Sequence, residues 1–464
     1  MSGIAYDNKM SDAEGLMWRL EKDPHLSSNI GTVTILDRAP DFDLFRQRLL
    51  GASLRMPRLR QCVRVAPANI APPTWVTDSN FDIDHHVRRI ALPKPGDERA
   101  LFDLASLITA EPFDRTRPLW QFTVVEGLKG NRAALVQKLH HTIADGESGV
   151  QLSLEYLDFE RDAIPPSMPD PDEIDEAREA ADADNDAADM VRNVLAGAFR
   201  LPLGVLDQVR ELLADPTQIP DATSSAADTV RGLVTQLSDV DGARSPLWTE
   251  RSTRRHLETA SAPFTETRAA AHALGGTLNT AFMTIATEAA SRYHAELGAP
   301  VGELRASMAI STRTEGSGAN AFSLVRMLVP TDDIDIDERF RAIQAATDSA
   351  VRASSSASLD KMATFASALP TSMITRLARQ QAHTIDFATS NVKGSPVPMY
   401  LAGAQLLSNY PIGPLSGVAF NLTLLSYLGR LDMGLNTDAA AVKEPDMLRR
   451  FIVEAVDRFT SLAT

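Results

Sequence analysis

The chain has 464 residues, 44% of them hydrophobic and 23% charged, with a formal net charge of -15. That length is too great for one ordinary core and suits two domains of roughly 200 residues each, while the acidic balance argues against a nucleic-acid partner, because phosphate binding needs a basic surface. Cys62 is the only cysteine, which excludes an internal disulfide framework and any cysteine-based metal cluster.

The first residues carry no basic stretch followed by an apolar core, and no apolar run reaches the ~18 residues of a membrane span. A cytoplasmic protein is expected, with peripheral contact to a membrane or lipid body left open. Residues 11 to 22 read as a short helix capped by Ser11 or Asp12. An alternating strand follows at 29 to 37, then an amphipathic helix at 41 to 56 with Phe42, Leu44, Phe45, Leu49 and Leu50 available to a core. Cys62 sits in alternating strand sequence, where a small packed side chain is expected rather than a nucleophile. His85 and His86 form one histidine pair, with no aspartate and glycine following at a useful spacing, so a structural or surface role is expected there. A helix at 98 to 113 leads to the PLW triplet at 118 to 120. The strands at 121 to 128 and 132 to 139 then form a hairpin about Gly130 and Asn131.

That hairpin delivers the sequence QKLHHTIADGESG, residues 137 to 149, with His140, His141, Asp145 and Gly146 close together. Gly146 is expected to open a helix running to about residue 157, with Val150, Leu152, Leu154 and Leu157 inward. The motif then lies on a strand-to-helix loop, a place where a rigid scaffold holds functional groups. Residues 160 to 189 are Pro-rich and then acidic, and between 170 and 189 ten acidic side chains face Arg178 alone, the mark of a solvated linker. Residues 190 to 213 are amphipathic and broken at Pro202, either a capping pair of helices or a segment touching lipid. The second half begins near Ser245 with SPLW. It continues with two helices separated by Gly275 and Gly276, strands at 304 to 313 and 322 to 330, and a helix at 338 to 354. Four more strands lie between 387 and 438, before a last helix at 445 to 459. Strands and helices mix in both halves, giving an α/β class built as α+β sandwiches. The expected division is 1–165, a connecting region 166–244, and 245–464.

A histidine with an ordinary pKa near 6.5 can be neutral at physiological pH and accept a proton. No GxSxG elbow supplies a serine, no GxxxxGK loop cradles phosphate and no GxGxxG marks a dinucleotide site. Adjacent histidines on an extended chain point apart and a third ligand of the usual spacing is missing, so a zinc site, or any metal, is not expected. His141 is therefore best used to deprotonate a hydroxyl that attacks an already activated acyl group such as a thioester. Asp145 is expected to fix the loop rather than to join a relay.

HHTIADG resembles the HHxxxDG signature of coenzyme A-dependent acyltransferases, shared by chloramphenicol acetyltransferase-like enzymes and condensation domains. RPLW at 117 to 120, GGTLN at 275 to 279, STR at 311 to 313, SNVKG at 390 to 394, MYLAGA at 399 to 404 and SYLGRLDMGLNTD at 426 to 438 narrow it. In order and spacing they resemble the bacterial wax ester synthase/diacylglycerol acyltransferase family over nearly the whole chain. The resemblance implies two chloramphenicol acetyltransferase-like domains with the active-site channel between them. It also implies transfer of a fatty acyl group from acyl-CoA, a co-substrate rather than a permanently bound cofactor, to diacylglycerol or a long-chain alcohol. By the same resemblance His141 is the catalytic base, His140, Asp145 and Gly146 support it, and Asn279 stands at a helix start, as a cap or as a donor to the active-site wall or an oxyanion.

Two positions depart from the family pattern. Thr280 follows Asn279 where an aspartate is usual, and Lys393 replaces the proline of SNVPG, where with Ser390 and Asn391 it could meet a coenzyme A phosphate. These departures motivate an alternative, a weakly active or inactive relative that binds lipid or lipid bodies. A third reading keeps the chemistry but takes the donor from a carrier-protein thioester.

Overall fold

The computed structural model describes residues 8–65, 73–144, 146–164, 170, 243–311, 322–354 and 371–463. The acidic linker beyond residue 170 and the amphipathic stretch at 190 to 213 lie outside the described residues, as do Asp145, Thr312 and Arg313.

Helix α1 (Asp12–Leu20) starts at a reciprocal cap, in which the Ser11 hydroxyl accepts from Glu14 N and the Glu14 carboxylate accepts from Ser11 N. Then come β1 (Asn29–Leu36), α2 (Phe42–Arg55), β2 (Gln61–Arg64), β3 (Thr74–Thr77), a single turn α3 (Ile83–His86), β4 (Val87–Ala91), α4 (Glu98–Ala110), β5 (Trp120–Leu128), β6 (Arg132–His140) and α5 (Gly146–Ser153). The second half holds β7 (Arg255–Pro263), α6 (Phe264–Ala273), α7 (Leu278–Glu296), β8 (Glu303–Ser311), β9 (Phe322–Pro330), α8 (Ile336–Ser354), α9 (Thr371–Ala382), β10 (Phe387–Val392), β11 (Tyr400–Leu401), β12 (Ala404–Ile412), β13 (Phe420–Tyr427), β14 (Arg430–Asp438) and α10 (Pro445–Thr460). The α/β expectation holds, and most expected elements appear within a few residues of their places.

Two six-stranded sheets carry the fold, ordered β11-β12-β1-β6-β5-β4 and β7-β14-β13-β10-β8-β9, while β2 and β3 pair by themselves. The first sheet is not built from the first half alone. Strand β12 runs antiparallel to β1 from Gly31 opposite Ile412 to Leu36 opposite Leu406, so residues 400–412 cross back from the second half. Met399, Leu401, Ala404 and Leu406 are buried in the same core as Phe45, Trp120 and Phe122. The boundary at 245 thus divides segments of chain rather than sheets.

Close approach makes this crossing possible. A Cβ at Gly434 of β14 would fall 1.8 Å from Pro411 O of β12, and one at Gly31 of β1 would fall 2.5 Å from Gln137 O of β6. Helix α7 is buried on every side over most of its length rather than along one face, which suits a helix packed against several elements at once. Its buried Thr284 and Thr287 hydroxyls donate to the helix carbonyls of Thr280 and Met283 at 2.8 Å. The SPLW echo is structural: Ser245 Oγ bonds His294 Nε2 at 2.7 Å, and Trp248 is fully buried edge-on to that ring.

Candidate active site

Strand β6 sorts its side chains by alternation. Leu135, Gln137 and Leu139 face a cavity, and His141, just beyond the strand end, faces it too. Lys138 and His140 turn the other way and are buried. Two backbone bonds hold the histidine pair: His140 N donates to Leu119 O of the PLW triplet, and His141 N donates to Ser28 O, both at 3.0 Å. The triplet is thus a support for the strand end. Trp120 adds a bond from Nε1 to Leu59 O at 2.8 Å.

The cavity occupies about 930 Å³, counting its open mouth. One wall is β1 and β6, the second is α5 and the turn after it, through Gly149, Val150, Ser153 and Leu157, and the third comes from the second half. There Ser390 and Val392 of β10, Leu406, Asn409 and Pro411 of β12, and Thr423 and Leu425 of β13 line it. The lining is mostly apolar, with a few polar groups. Thr34 Oγ1 donates to Asn409 Oδ1 at 3.0 Å, and Gln137 Nε2 donates to Tyr156 OH at 2.7 Å. An apolar chain fits such a space, with His141 as the titratable group in its wall.

Behind the wall, His140 is completely buried, with Nδ1 at 2.7 Å from Thr142 Oγ1 and Nε2 against the Glu21 carboxylate. Burial pushes the Glu21 carboxyl up, but the His140 contact, Arg115 and Ser27 outweigh it and hold the group below its ordinary range. Lys138 donates from Nζ to Glu111 O at 2.5 Å and lies over the Phe113 ring, and burial pushes its ammonium down to about 8.

The structure brings together some of the expected residues and separates others. His141 and Ser390 share the cavity. Asn279 does not line it: Asn391 Nδ2 donates to Asn279 Oδ1 at 2.6 Å, joining α7 to β10 one residue from Ser390. The helix cap is Thr277, whose hydroxyl accepts from Thr280 N, so Asn279 is not the cap. Thr280 is buried and donates from Oγ1 to Gln344 Oε1 of α8 at 2.6 Å, away from the cavity. Lys393 is exposed beyond the end of β10. Gly146 opens α5 as expected, but Leu154 is exposed whereas Leu152 is buried. Glu21, Gln137 and Asn409 were not expected here. Asn409 left a trace, a polar residue in otherwise apolar strand sequence, and Glu21 left none.

The second histidine pair has a structural role. His86 stacks between Phe81 and Trp120, with ring centroids 5.2 and 4.5 Å away, and its Nδ1–H donates to Trp120 O at 2.8 Å. Burial pushes its pKa down to about 4, against a bond to Trp120 that raises it. Below the unfolded value near 6.5 the unfolded chain takes a proton that the folded chain refuses, so stability falls as pH drops from about 6.5 towards 4. Between pH 7 and pH 5 this one group is expected to remove about 2 kcal/mol. Urea midpoints at the two pH values should differ less in His86→Phe than in the parent chain. Cys62, half-buried with its thiol pushed up by burial, behaves as the packed side chain expected of it.

Comparison with known proteins gives the same fold. Residues 10–282 match the wax ester synthase/diacylglycerol acyltransferase catalytic domain, and residues 318–459 match the WS/DGAT C-terminal domain. A putative diacylglycerol O-acyltransferase of Mycobacterium tuberculosis is 32% identical over 465 residues, covering 98% of this chain and 92% of that protein. A solved wax ester synthase/diacylglycerol acyltransferase from Marinobacter aquaeolei VT8 superposes with a TM-score of 0.66 at 22% identity, over 98% of this chain and 99% of that one. The starter condensation domain of rhizomide synthetase, solved with C8-CoA, gives 0.56 at 12% identity, over 98% and 94%. The two sheet-bearing halves are thus those of a chloramphenicol acetyltransferase-like fold.

Proposed function

The chain belongs to the wax ester synthase/diacylglycerol acyltransferase family, and from that membership we propose that it moves a fatty acyl group from acyl-CoA to the hydroxyl of diacylglycerol or a long-chain alcohol. The observation that carries this reading is the placement of His141 in the wall of a largely apolar cavity where the two sheets meet. His141 takes the proton of the acceptor hydroxyl, and the oxygen attacks the thioester carbonyl to give a tetrahedral oxyanion. Collapse expels coenzyme A, whose sulfur receives the proton from His141, and no covalent intermediate forms on the protein. Ser390, on the wall contributed by the second half, is the hydroxyl offered to the oxyanion, and Asn279 acts on it through Asn391. Asp145 and Gly146 set the loop, and Lys393, exposed past the end of β10, meets a phosphate of the departing coenzyme A.

The lipid acceptor arrives by peripheral contact of this cytoplasmic protein with a membrane or lipid body. Supporting this, Leu154, Phe159 and Ile164 are 52%, 65% and 91% exposed in the segment that follows the α5 wall. Among the described residues no helix is long and apolar enough to cross a membrane. The alternative of a lipid binder without turnover drew on Thr280 and Lys393, and neither side chain lines the cavity. Palmitoyl-CoA offered with diacylglycerol or hexadecanol should release free thiol and form the matching ester. Acyl-lipid binding with no product from either acceptor would instead favour the binding protein.

A further inference from the structure

We propose that Glu21, the residue closing α1, is a positioning residue for the acyl-transfer reaction, fixing His141 from behind the cavity wall through His140. This rests on the reading of His141 as the base.

The carboxylate closes a ring of contacts around the catalytic loop. One oxygen meets His140 Nε2, and the other accepts from Ser27 Oγ at 3.2 Å. The neighbour of Ser27, Ser28, supplies the carbonyl that takes His141 N–H at 3.0 Å. Glu21 therefore grips both the residue before His141 and the residue before its backbone acceptor. The His140 ring has little freedom to drift: Trp18 and Phe113 stand edge-on to it at 6.5 Å, and Nδ1 is held by Thr142. Its side chain is fully buried and that of Glu21 is only 15% exposed. Alternation sends His140 away from substrate, so its use lies in orientation rather than proton transfer. A base displaced by ~1 Å loses much of its rate even with substrate binding intact, and the loop after β6 has this ring as its support from behind.

The test measures kcat and KM for palmitoyl-CoA, with thermal unfolding, on Glu21→Ala, Glu21→Gln, Ser27→Ala and His141→Ala. Glu21→Ala is expected to lower kcat by about tenfold with KM changed less than about twofold. Glu21→Gln keeps one acceptor oxygen for His140 Nε2 and turns its amide N–H to Ser27 Oγ, which then accepts, so it should recover most of that loss, and Ser27→Ala, which cuts one arm, should fall between. A Glu21→Ala protein that is folded and keeps its kcat overturns the inference, as does a loss in all variants that simply follows their melting temperatures. Should Glu21→Ala not fold, the kcat of Ser27→Ala decides by the same criterion. If His141→Ala itself turns over normally, the base assignment and this inference fall together; if it is dead while Glu21→Ala is fully active, only the inference falls.

Discussion

His141→Ala should lower acyl-CoA turnover by about a hundred- to ten-thousand-fold while leaving the protein folded. The side chain is half-buried in the cavity wall, so shortening it removes a proton acceptor without opening a hole in a packed core. Its backbone bond to Ser28 O remains available to any residue at that position. The neighbouring substitution gives the contrast. His140→Ala removes a fully buried ring and leaves a hole beside the Glu21 carboxylate, which loses its His140 contact and keeps only Ser27 and the attraction of Arg115, and that is costly. It should therefore lower the melting temperature as well as the rate. Thiol release from palmitoyl-CoA, measured beside melting curves, separates the two, and a His141→Ala protein that matched the parent rate would end the general-base assignment.

Gly434→Ala should be among the most destabilising single-methyl changes in the chain, by about 3 kcal/mol. The added carbon would lie 1.8 Å from Pro411 O and 2.9 Å from Pro411 C, both main-chain atoms that cannot swing aside. Relief requires β14 and β12 to part. Since Pro411 also lines the cavity, the same shift should disturb catalysis. Gly149→Ala is the control, since a Cβ there meets nothing within 4 Å. At a helical position the change from glycine should be neutral or stabilise by about 0.5–1 kcal/mol. Urea unfolding of the three proteins checks both expectations, and equal midpoints for Gly434→Ala and the parent would show that the crossing is looser than described.

Local order was legible because its causes are local. Alternation marked β1 and β6, apolar strand-like runs marked β5, β13 and β14, and the two glycines at 275 and 276 marked the break between α6 and α7. Partner choice was not legible. Residues 404 to 412 read as a strand like any other, and nothing in their pattern says that they pair with β1, more than 360 residues earlier, rather than within their own half. Helix α9 was not expected, since the sequence around it offered no cue strong enough to set it apart. His141 could be picked out from its motif, whereas Glu21 meets His140 only because the fold returns α1 to the end of β6. For Asn279 the helix start was visible, but its bond to Asn391 joins two distant stretches of chain. Patterns that lie within one segment were readable. Contacts between segments had to await the fold.

The return of β12 into the first sheet also decides how a long substrate gets in. The strand is hydrogen-bonded along β1 in the first sheet, while β10 before it and β13 after it belong to the second, so the two halves of the chain are sewn together beside the cavity they both line. Pulling the two halves of the chain apart would strip that seam of its main-chain bonds, each at about 1–3 kcal/mol when left without a replacement. A fatty chain is therefore expected to enter by the cavity's open mouth with that seam intact. A fragment stopping at the acidic linker would lack the strand that seals β1, and would carry into solution a raw sheet edge of the kind that drives aggregation.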